Sequence, residues 1–521
     1  MILSIKNFLK GSYSLFDEQT NTTHHRTEPI REKWLPGDRI NESQKVVART
    51  MANHNGIVGI VDFLNRTGQG FSKRGVPLFL FHPLNAGYPP MIVASAQKWK
   101  QNQLATVNIE HWNEKWPRAG IQTILGPVGN LDIERKACIA MYERKLPGDP
   151  ISDPILATHT LFKGFVIHID PEGCQDVDDV LMWNPIENGY EFGIGIADVS
   201  SWLKEEDALD TFAEQIGQTF YLNSEPCVSM LPPNLSTMKA SLRSDGALRP
   251  VLAYVYTIHN GQCIHTRWEQ YAIRVNKTYS YESIYGDTES SKKVQESLNI
   301  VWDSPVGSDS HRWIEIAMIL YNKAAASILK EKGVGILRNQ LQGHSSEIWN
   351  HLAEQTGCRE LAFFGFESGK YVSAKDVDTR HIGLNLDMYC HASSPLRRYA
   401  DLHNQRWLKY ILFHAEIPKK CVNWNALNNR NQQIKQTERI VWFLEHLKAD
   451  SITEVDGFLL KRKEGLEKKW SVYIPKWKRT IRGIYKGENE DAIMIGSTVK
   501  VRAYTDLKQC SLNDRIVCAL Y

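Results

Sequence analysis

Residues 168–183 read HIDPEGCQDVDDVLMW and place Asp170, Asp176, Asp178 and Asp179 within ten residues. If the segment is extended, Asp176 and Asp178 share one face and Asp179 points to the other. Asp170 closes the strand pattern FVIHID, and the PEG turn folds it back towards the other three. Four carboxylates at this spacing repel one another unless cations neutralise them. Hard oxygen donors of this kind select Mg²⁺ or Mn²⁺. A DxDD alone would be read as an acidic surface loop. Here the flanks FVIHID and VLMW carry an apolar strand pattern, which makes the site buried or half-buried.

A second constellation is HIGLNLDMYCHASSPLRRYADL, residues 381–402. Ser394-Pro395 reads as the start of a helix whose first turns carry Arg397 and Arg398. Helix N-terminal amides with adjacent arginines make a phosphate cradle. The alternative is a structural arginine pair tied to an acid, and the residues leave both open. Carboxylate-bound metal with an arginine cradle suggests phosphodiester hydrolysis, the cations activating water and arginine taking phosphate charge.

Outward from these motifs the chain is mixed. GIVGIVDFL, VPLFLF, PMIVAS and ATVNIEHW read as short strands of a small barrel between about Trp34 and Met141. YEFGIGIADV, after an NG turn signal, is a strand, and EEDALDTFAEQIGQTF has helical spacing. HRWIEIAMILYNKAAASILKEKG is a strong helix stopped by Gly333. LNNRNQQIKQTERIVWFLEHLKAD is another. FLLKRK, KWSVYIPKW, AIMIGSTVKVRAY and IVCALY suit a second five-stranded barrel. Residues 1–33 are polar and unperiodic and read as a mobile arm, with GDRIN at 37–41 as the remnant of a truncated first barrel.

The 521 residues have 42% hydrophobic and 10% aromatic content, enough for a large core. No run of about 18 apolar residues predicts a membrane span, and MILSIKNFLKGSY lacks a signal-peptide pattern. Nine cysteines without a CxxC pair argue for a reducing compartment. The net charge of +3 is a cancellation: +6 over 1–149, −9 over 150–454 and +6 over 455–521. Basic flanks around an acidic middle suit a polyanion guided to a carboxylate site that needs cations. In KRKEGLEKKWSVYIPKWKR, cations interleave with Trp470, Tyr473 and Trp477 around Lys476, a pattern for single-stranded RNA, though Trp470 also suits a barrel core.

HIDPEGCQDVDDVL followed by SSPLRRYADL resembles the signature pair of the ribonuclease II / ribonuclease R family, the RNB-domain exoribonucleases, and most of all its eukaryotic exosome-subunit branch. FYLNSEPCVSMLPPNLSTMKASL, GIVGIVDFLNRTGQGF and YPPMIVAS are also similar to family segments. The resemblance implies an α+β chain: a cold-shock-type OB barrel over 34–150, an RNB catalytic domain over 151–454 and a C-terminal OB barrel over 455–521. It implies that Asp170, Asp176, Asp178 and Asp179 hold Mg²⁺, with Mn²⁺ as substitute. Arg397 would hold the scissile phosphate with Arg398 beside it, Tyr221 would stack on the terminal nucleotide, and Tyr281, Glu315 and Glu438 would position the RNA end. The implied reaction is processive 3′→5′ hydrolysis of single-stranded RNA to 5′-nucleoside monophosphates.

The chain departs from the family pattern at Ser393-Ser394-Pro395-Leu396-Arg397-Arg398, at Gly195 where the family has His, and at Gln405 where it has His. None of these is a metal ligand, but they bear on the shell that supports the site. No room is left ahead of the barrels for the nuclease domain of the exosome subunit, which argues against exosome association. A cytoplasmic or nuclear monomer without membrane contact is expected. The competing reading is an RNA-binding regulator on an inactive core. An endonuclease or DNA nuclease is a third.

Overall fold

The computed structural model describes residues 1–17, 22–49, 54–65, 69–144, 146–147, 153–154, 156–222, 225–343, 346–447, 451–462, 469–487, 493–506, 509 and 515–521. The expected boundary at 150–151 and the KEGLEK part of the basic C-terminal stretch lie outside these residues. The chain divides into two compact units: 1–143 with 343–365 and 432–521, and 144–342 with 366–431. Among the described residues no helix is long and apolar enough to cross a membrane.

The first unit is built from small β-structures. The stretch expected as a mobile arm is instead strand: Ile2–Asn7, Ser12–Asp17 and Thr22–Thr27 run antiparallel and continue into Arg39–Ile40 and Val46–Ala48 as a five-stranded sheet. The physical reason is period-two burial. Leu3, Ile5, Tyr13 and Leu15 turn inward to Trp34 and Ile40. Gly11 makes the tight return at φ +61°, where a Cβ would strike the Glu28 carbonyl. GDRIN thus belongs to a sheet of its own.

The expected cold-shock barrel is closed by Ile57–Val61, Leu78–Pro83, Met91–Ala94, Gln103–His111 and a fifth strand, Arg118–Pro127. The C-terminal barrel is closed by Thr453–Arg462, Lys469–Ile474, Arg479–Tyr485, Thr498–Thr505 and Ile516–Leu520. Residues 343–365, expected in the catalytic domain, pack in this unit, where Trp349 and Leu361 of Ser346–Thr356 and Arg359–Gly365 join Tyr473. Helix Leu131–Ala140 supplies Glu134, wholly buried and ion-paired to the equally buried Arg515.

The second unit centres on a seven-stranded sheet in the order Thr160–Leu161, Gln262–Ile273, Arg249–His259, Gly189–Ala197, Asp179–Ile186, Phe165–Asp170 and Lys277–Ser280. One face buries Leu181, Phe192, Ile194 and Leu252 against Trp313, Ala317 and Tyr321 of helix Ser310–Lys332 and Leu408 of helix Tyr399–Phe413. The first of these helices ends as its sequence predicts, at Gly333 with φ +63°.

Candidate active site: an aspartate loop closed by an arginine turn

The sheet brings the aspartates together. Strands Phe165–Asp170 and Asp179–Ile186 pair antiparallel with Phe165 opposite Trp183. The end of one strand therefore lies beside the start of the other, and Asp170 and Asp179 meet at the same end of the sheet. Residues 171–178 form the loop between them. Ser241 pins it: the Val177 N–H donates to Ser241 Oγ at 3.0 Å, and Ser241 Oγ–H donates to the Gln175 carbonyl at 2.6 Å. The Leu242 N–H adds a bond to the Val177 carbonyl at 3.0 Å. Sequence reading assigned no role to Ser241, although it lies in the MKASL segment. Its partner is 64 positions away and no local pattern marks it.

The SPLRR segment closes the loop from the other side. It is not the first turn of a helix: residues 395–397 form a turn and helix Tyr399–Phe413 starts after Arg398. The amides that would begin a helix are taken by acids. The Leu396 N–H donates to Asp178 at 2.9 Å and the Ser394 N–H donates to Asp401 at 2.8 Å. Arg397 Nε donates to Asp178 at 3.0 Å, and its terminal nitrogen donates to Ser394 Oγ at 3.0 Å. Arg398 makes a two-point bond to Asp401, at 2.7 and 2.9 Å. For Arg398 the structural alternative holds: it braces the turn rather than lining a cradle.

Residues 217–219 run beside the same turn. The Thr219 N–H donates to the Arg397 carbonyl and the Tyr399 N–H to the Gly217 carbonyl, each at 2.9 Å. This sets Tyr221, two residues on, so that its hydroxyl donates to Asp176. Strand Lys277–Ser280 pairs parallel with Phe165–Asp170, Ser280 opposite Asp170, and delivers Tyr281 to the site. The Tyr281 ring stacks on His311 at 3.8 Å between centroids. Glu315, one turn further along helix Ser310–Lys332, is half-exposed and accepts from Arg312 at 2.6 Å.

The electrostatics follow from burial. Asp178 is 3% exposed, and desolvation pushes its carboxyl up to about 7 despite Arg397 and the Leu396 N–H. Burial, then Asp170 and Asp178, hold Asp179 well above the usual carboxylate range. Burial, then Asp170, Asp176 and Asp178, push the Cys174 thiol up, so it is a neutral filler. Tyr281 is pushed up to about 12 by burial, then Asp170 and Asp179. All four aspartates therefore act on one small volume.

Asp170 Oδ2 is buried without a hydrogen-bond partner, 3.3 Å from His168 Nδ1, which is also unpartnered. Mutually repelling, partly orphaned oxygens are donors that fit a hard divalent cation. Among the described residues no group of three or more His, Cys, Asp or Glu side chains is placed so that it could hold a metal ion as it stands, so the aspartates would have to move together to take one.

Of the three departures from the family pattern, the two that replace His, Gly195 and Gln405, are accommodated. A Cβ at Gly195 would stand 2.8 Å from Met182 Sδ and 3.0 Å from Val180 Cγ2, so the position is filled by its neighbours. Gln405 accepts from the Ser200 N–H at 3.1 Å and donates to the Ala197 carbonyl at 2.8 Å, tying helix Tyr399–Phe413 to the sheet.

The remaining predicted residues lie in the first unit. Trp470 is 5% exposed and belongs to the barrel core with Val472 and Ile474, because alternate residues of Lys469–Ile474 face inward; it is no RNA platform. Trp477 is half-buried against Trp442 and Phe443, and Lys476 is exposed. Glu438, half-buried on helix Trp424–His446, is pushed up by burial against the pull of Lys435 and Arg479.

An acidic loop at a sheet end, closed by an arginine turn, thus shares one chain with two five-stranded barrels. The family model for the RNB domain matches residues 159–301 and 288–414, and the model for the Dis3-like cold-shock domain 2 matches 78–143. The chain belongs to the RNB-domain family, whose members include exoribonucleases.

It is 26% identical to Ribonuclease R of Helicobacter pylori, over 57% of each chain. It spans about half the length of the curated relatives it matches. The apo form of Mycoplasma genitalium RNase R superposes with a TM-score of 0.71 at 15% identity over 100% of both chains. Yeast Ssd1, described as a pseudonuclease, superposes with a TM-score of 0.68 at 14% identity over 97% of this chain and 81% of that one. At such identities these likenesses show the fold.

Proposed function

We propose that the protein is a divalent-cation-dependent exoribonuclease that degrades single-stranded RNA from its 3′ end, processively, to 5′-nucleoside monophosphates in RNA decay or processing. The observation that carries this reading is the Asp178–Arg397 pair. Arg397 is anchored on a buried carboxylate yet keeps 43% of its side-chain surface open, so an anchored cation beside the aspartate loop stays accessible to solvent. Asp170, Asp176, Asp178 and Asp179 would hold Mg²⁺, or Mn²⁺, which when bound activates water and offsets charge on the leaving oxygen. Arg397 takes charge on the scissile phosphate. Tyr221 and Tyr281 offer rings to bases without reading their identity. Exposed Lys476 and half-buried Trp477 offer a cation and a ring to the strand.

The test is incubation of 3′-labelled single-stranded RNA with the full chain and Mg²⁺. Release of mononucleotides, lost in Asp178→Asn with binding kept, is expected. Intact RNA at stoichiometric protein would sink the reading. Cleavage indifferent to a blocked 3′ end, or equal cutting of DNA, would replace it with an endonuclease or DNA nuclease.

A second reading, an RNA-binding regulator on a silent core, is favoured by one observation: Asp176 and Asp178 are already engaged by Tyr221 and by Arg397 with Leu396. Tight binding of single-stranded RNA without turnover in Mg²⁺ or Mn²⁺ would establish it.

A further inference from the structure

The strand pair Ile336–Asn339 and Lys370–Ser373 carries a cation that the aspartate loop does not use. Arg338 is half-buried, its guanidinium carbon 5.8 Å from the centroid of the Tyr371 ring. Gly369 lies against it: a Cβ there would stand 2.8 Å from a terminal nitrogen of Arg338, so the glycine gives the guanidinium its room. Among the described residues Arg338 has no ion pair and its guanidinium donates no hydrogen bond.

Its neighbours make this harder to sustain. Burial, then Arg398, work against its charge. The nearby acid, Asp401, is filled by the two-point bond from Arg398 and by the Ser394 N–H. His381, which feels the Arg338 charge, has a buried Nδ1 without a partner. Geometry ties Arg338 to the segment that leads into the SPLRR turn: its N–H donates to the Tyr389 carbonyl at 2.8 Å, and the Tyr371 hydroxyl under its guanidinium bonds His391 Nδ1 at 2.9 Å. Burial, then Arg398, Arg338 and Arg397, push His391 well below its usual range.

A half-buried cation whose one nearby acid is already hydrogen-bonded to another arginine is costly, and a guanidinium fork matches phosphate oxygens. We propose that Arg338 is a phosphate subsite, taking an internucleotide phosphate of the RNA strand other than the scissile one that faces Arg397. The proposal rests on the RNA reading given under the proposed function.

The test is equilibrium binding of 5′-fluorescein RNA, from dinucleotide to dodecamer, to the full chain in EDTA at several salt concentrations. Arg338→Gln is expected to weaken the longer strands about tenfold and to flatten the salt slope by about 0.7, with the dinucleotide unchanged. Arg338→Lys should keep the slope. Unchanged affinity and slope at every length would overturn the proposal, as would an equal loss for the dinucleotide. Wild-type protein that binds no RNA at all would take down the underlying reading and the subsite with it.

Should the Gln variant not fold, dicarbonyl modification of wild-type arginines, located by mass spectrometry, replaces it. Dodecamer must protect Arg338 while dinucleotide and 5′-AMP do not. Protection by 5′-AMP alone would put a product nucleotide there and refute the strand subsite.

Discussion

Asp178→Asn should stabilise the cation-free protein while removing hydrolysis. Asp178 is 3% exposed, and its carboxyl is raised from the usual carboxylate range to about 7 by burial. A raised folded-state value means that the folded protein keeps a proton that the unfolded chain has released. Between about pH 4 and pH 7, ionisation of the unfolded chain therefore lowers the stability of the wild type. At about 1.36 kcal/mol per unit, a rise of about three units is worth about 4 kcal/mol once the pH exceeds 7.

Asparagine stays neutral and does not incur this loss. Its amide NH₂ meets Arg397 less well than a carboxylate does, but Arg397 is open enough to turn to water. The expected net gain is about 2–4 kcal/mol at pH 8, falling to nothing near pH 4. The assay is urea unfolding in EDTA at pH 4, 6 and 8, followed by tryptophan fluorescence, with variant and wild type side by side. Added Mg²⁺ should reverse the order, since a cation that binds only the folded wild type stabilises it by mass action. A variant less stable than wild type in EDTA at pH 8, or a difference that does not change with pH, would refute the reasoning.

Tyr221→Ala should weaken single-stranded RNA binding by about 1–3 kcal/mol, whereas Tyr221→Phe keeps the ring and changes binding little; equal losses in fluorescence anisotropy would remove the stacking role. His403, whose Nε2 accepts from Trp407 Nε1 at 3.1 Å, is pushed down to about 3 by burial and then Arg406, so it folds neutral. Its stability contribution is complete above about pH 6.5 and is lost at about 1.4 kcal/mol per unit as pH falls towards 3. His403→Gln should flatten that acid limb in pH-dependent unfolding. Gly195→Ala places a methyl against Met182 and Val180 and should cost about 1–3 kcal/mol, read from urea midpoints; a neutral result would mean that Met182 gives way freely. Ser241→Ala leaves the buried Val177 N–H without an acceptor and should lower Mn²⁺ affinity by about tenfold or more, measured by paramagnetic resonance of free Mn²⁺.

Much of the site was legible because it is local. The four aspartates lie within ten residues between two apolar runs, and the strand pattern FVIHID places Asp170 at a strand end; that Asp179 opens the neighbouring strand follows from the pairing of Phe165 with Trp183. Gly333 as a helix stop and both barrels follow from short-range rules of the same kind. The N-terminal strands were misread because their apolar residues alternate inside a polar composition, and only the partner Trp34 shows which face is buried. Trp470 read as a ligand platform because its neighbours are basic, whereas its strand phase turns it into the core.

Sequence by itself determined which chemistry the chain could hold: clustered carboxylates between strands, with an arginine pair at long range. Tertiary structure decided how those groups are used. Asp178 takes the Leu396 N–H and so holds the SPLRR segment as a turn; Asp401 spends Arg398; and Arg397 alone remains open. Each of these outcomes is a competition for a buried acceptor between groups up to 219 positions apart. Residue spacing carries no information on such a competition, because its result depends on which donor the folded sheet brings within hydrogen-bond reach.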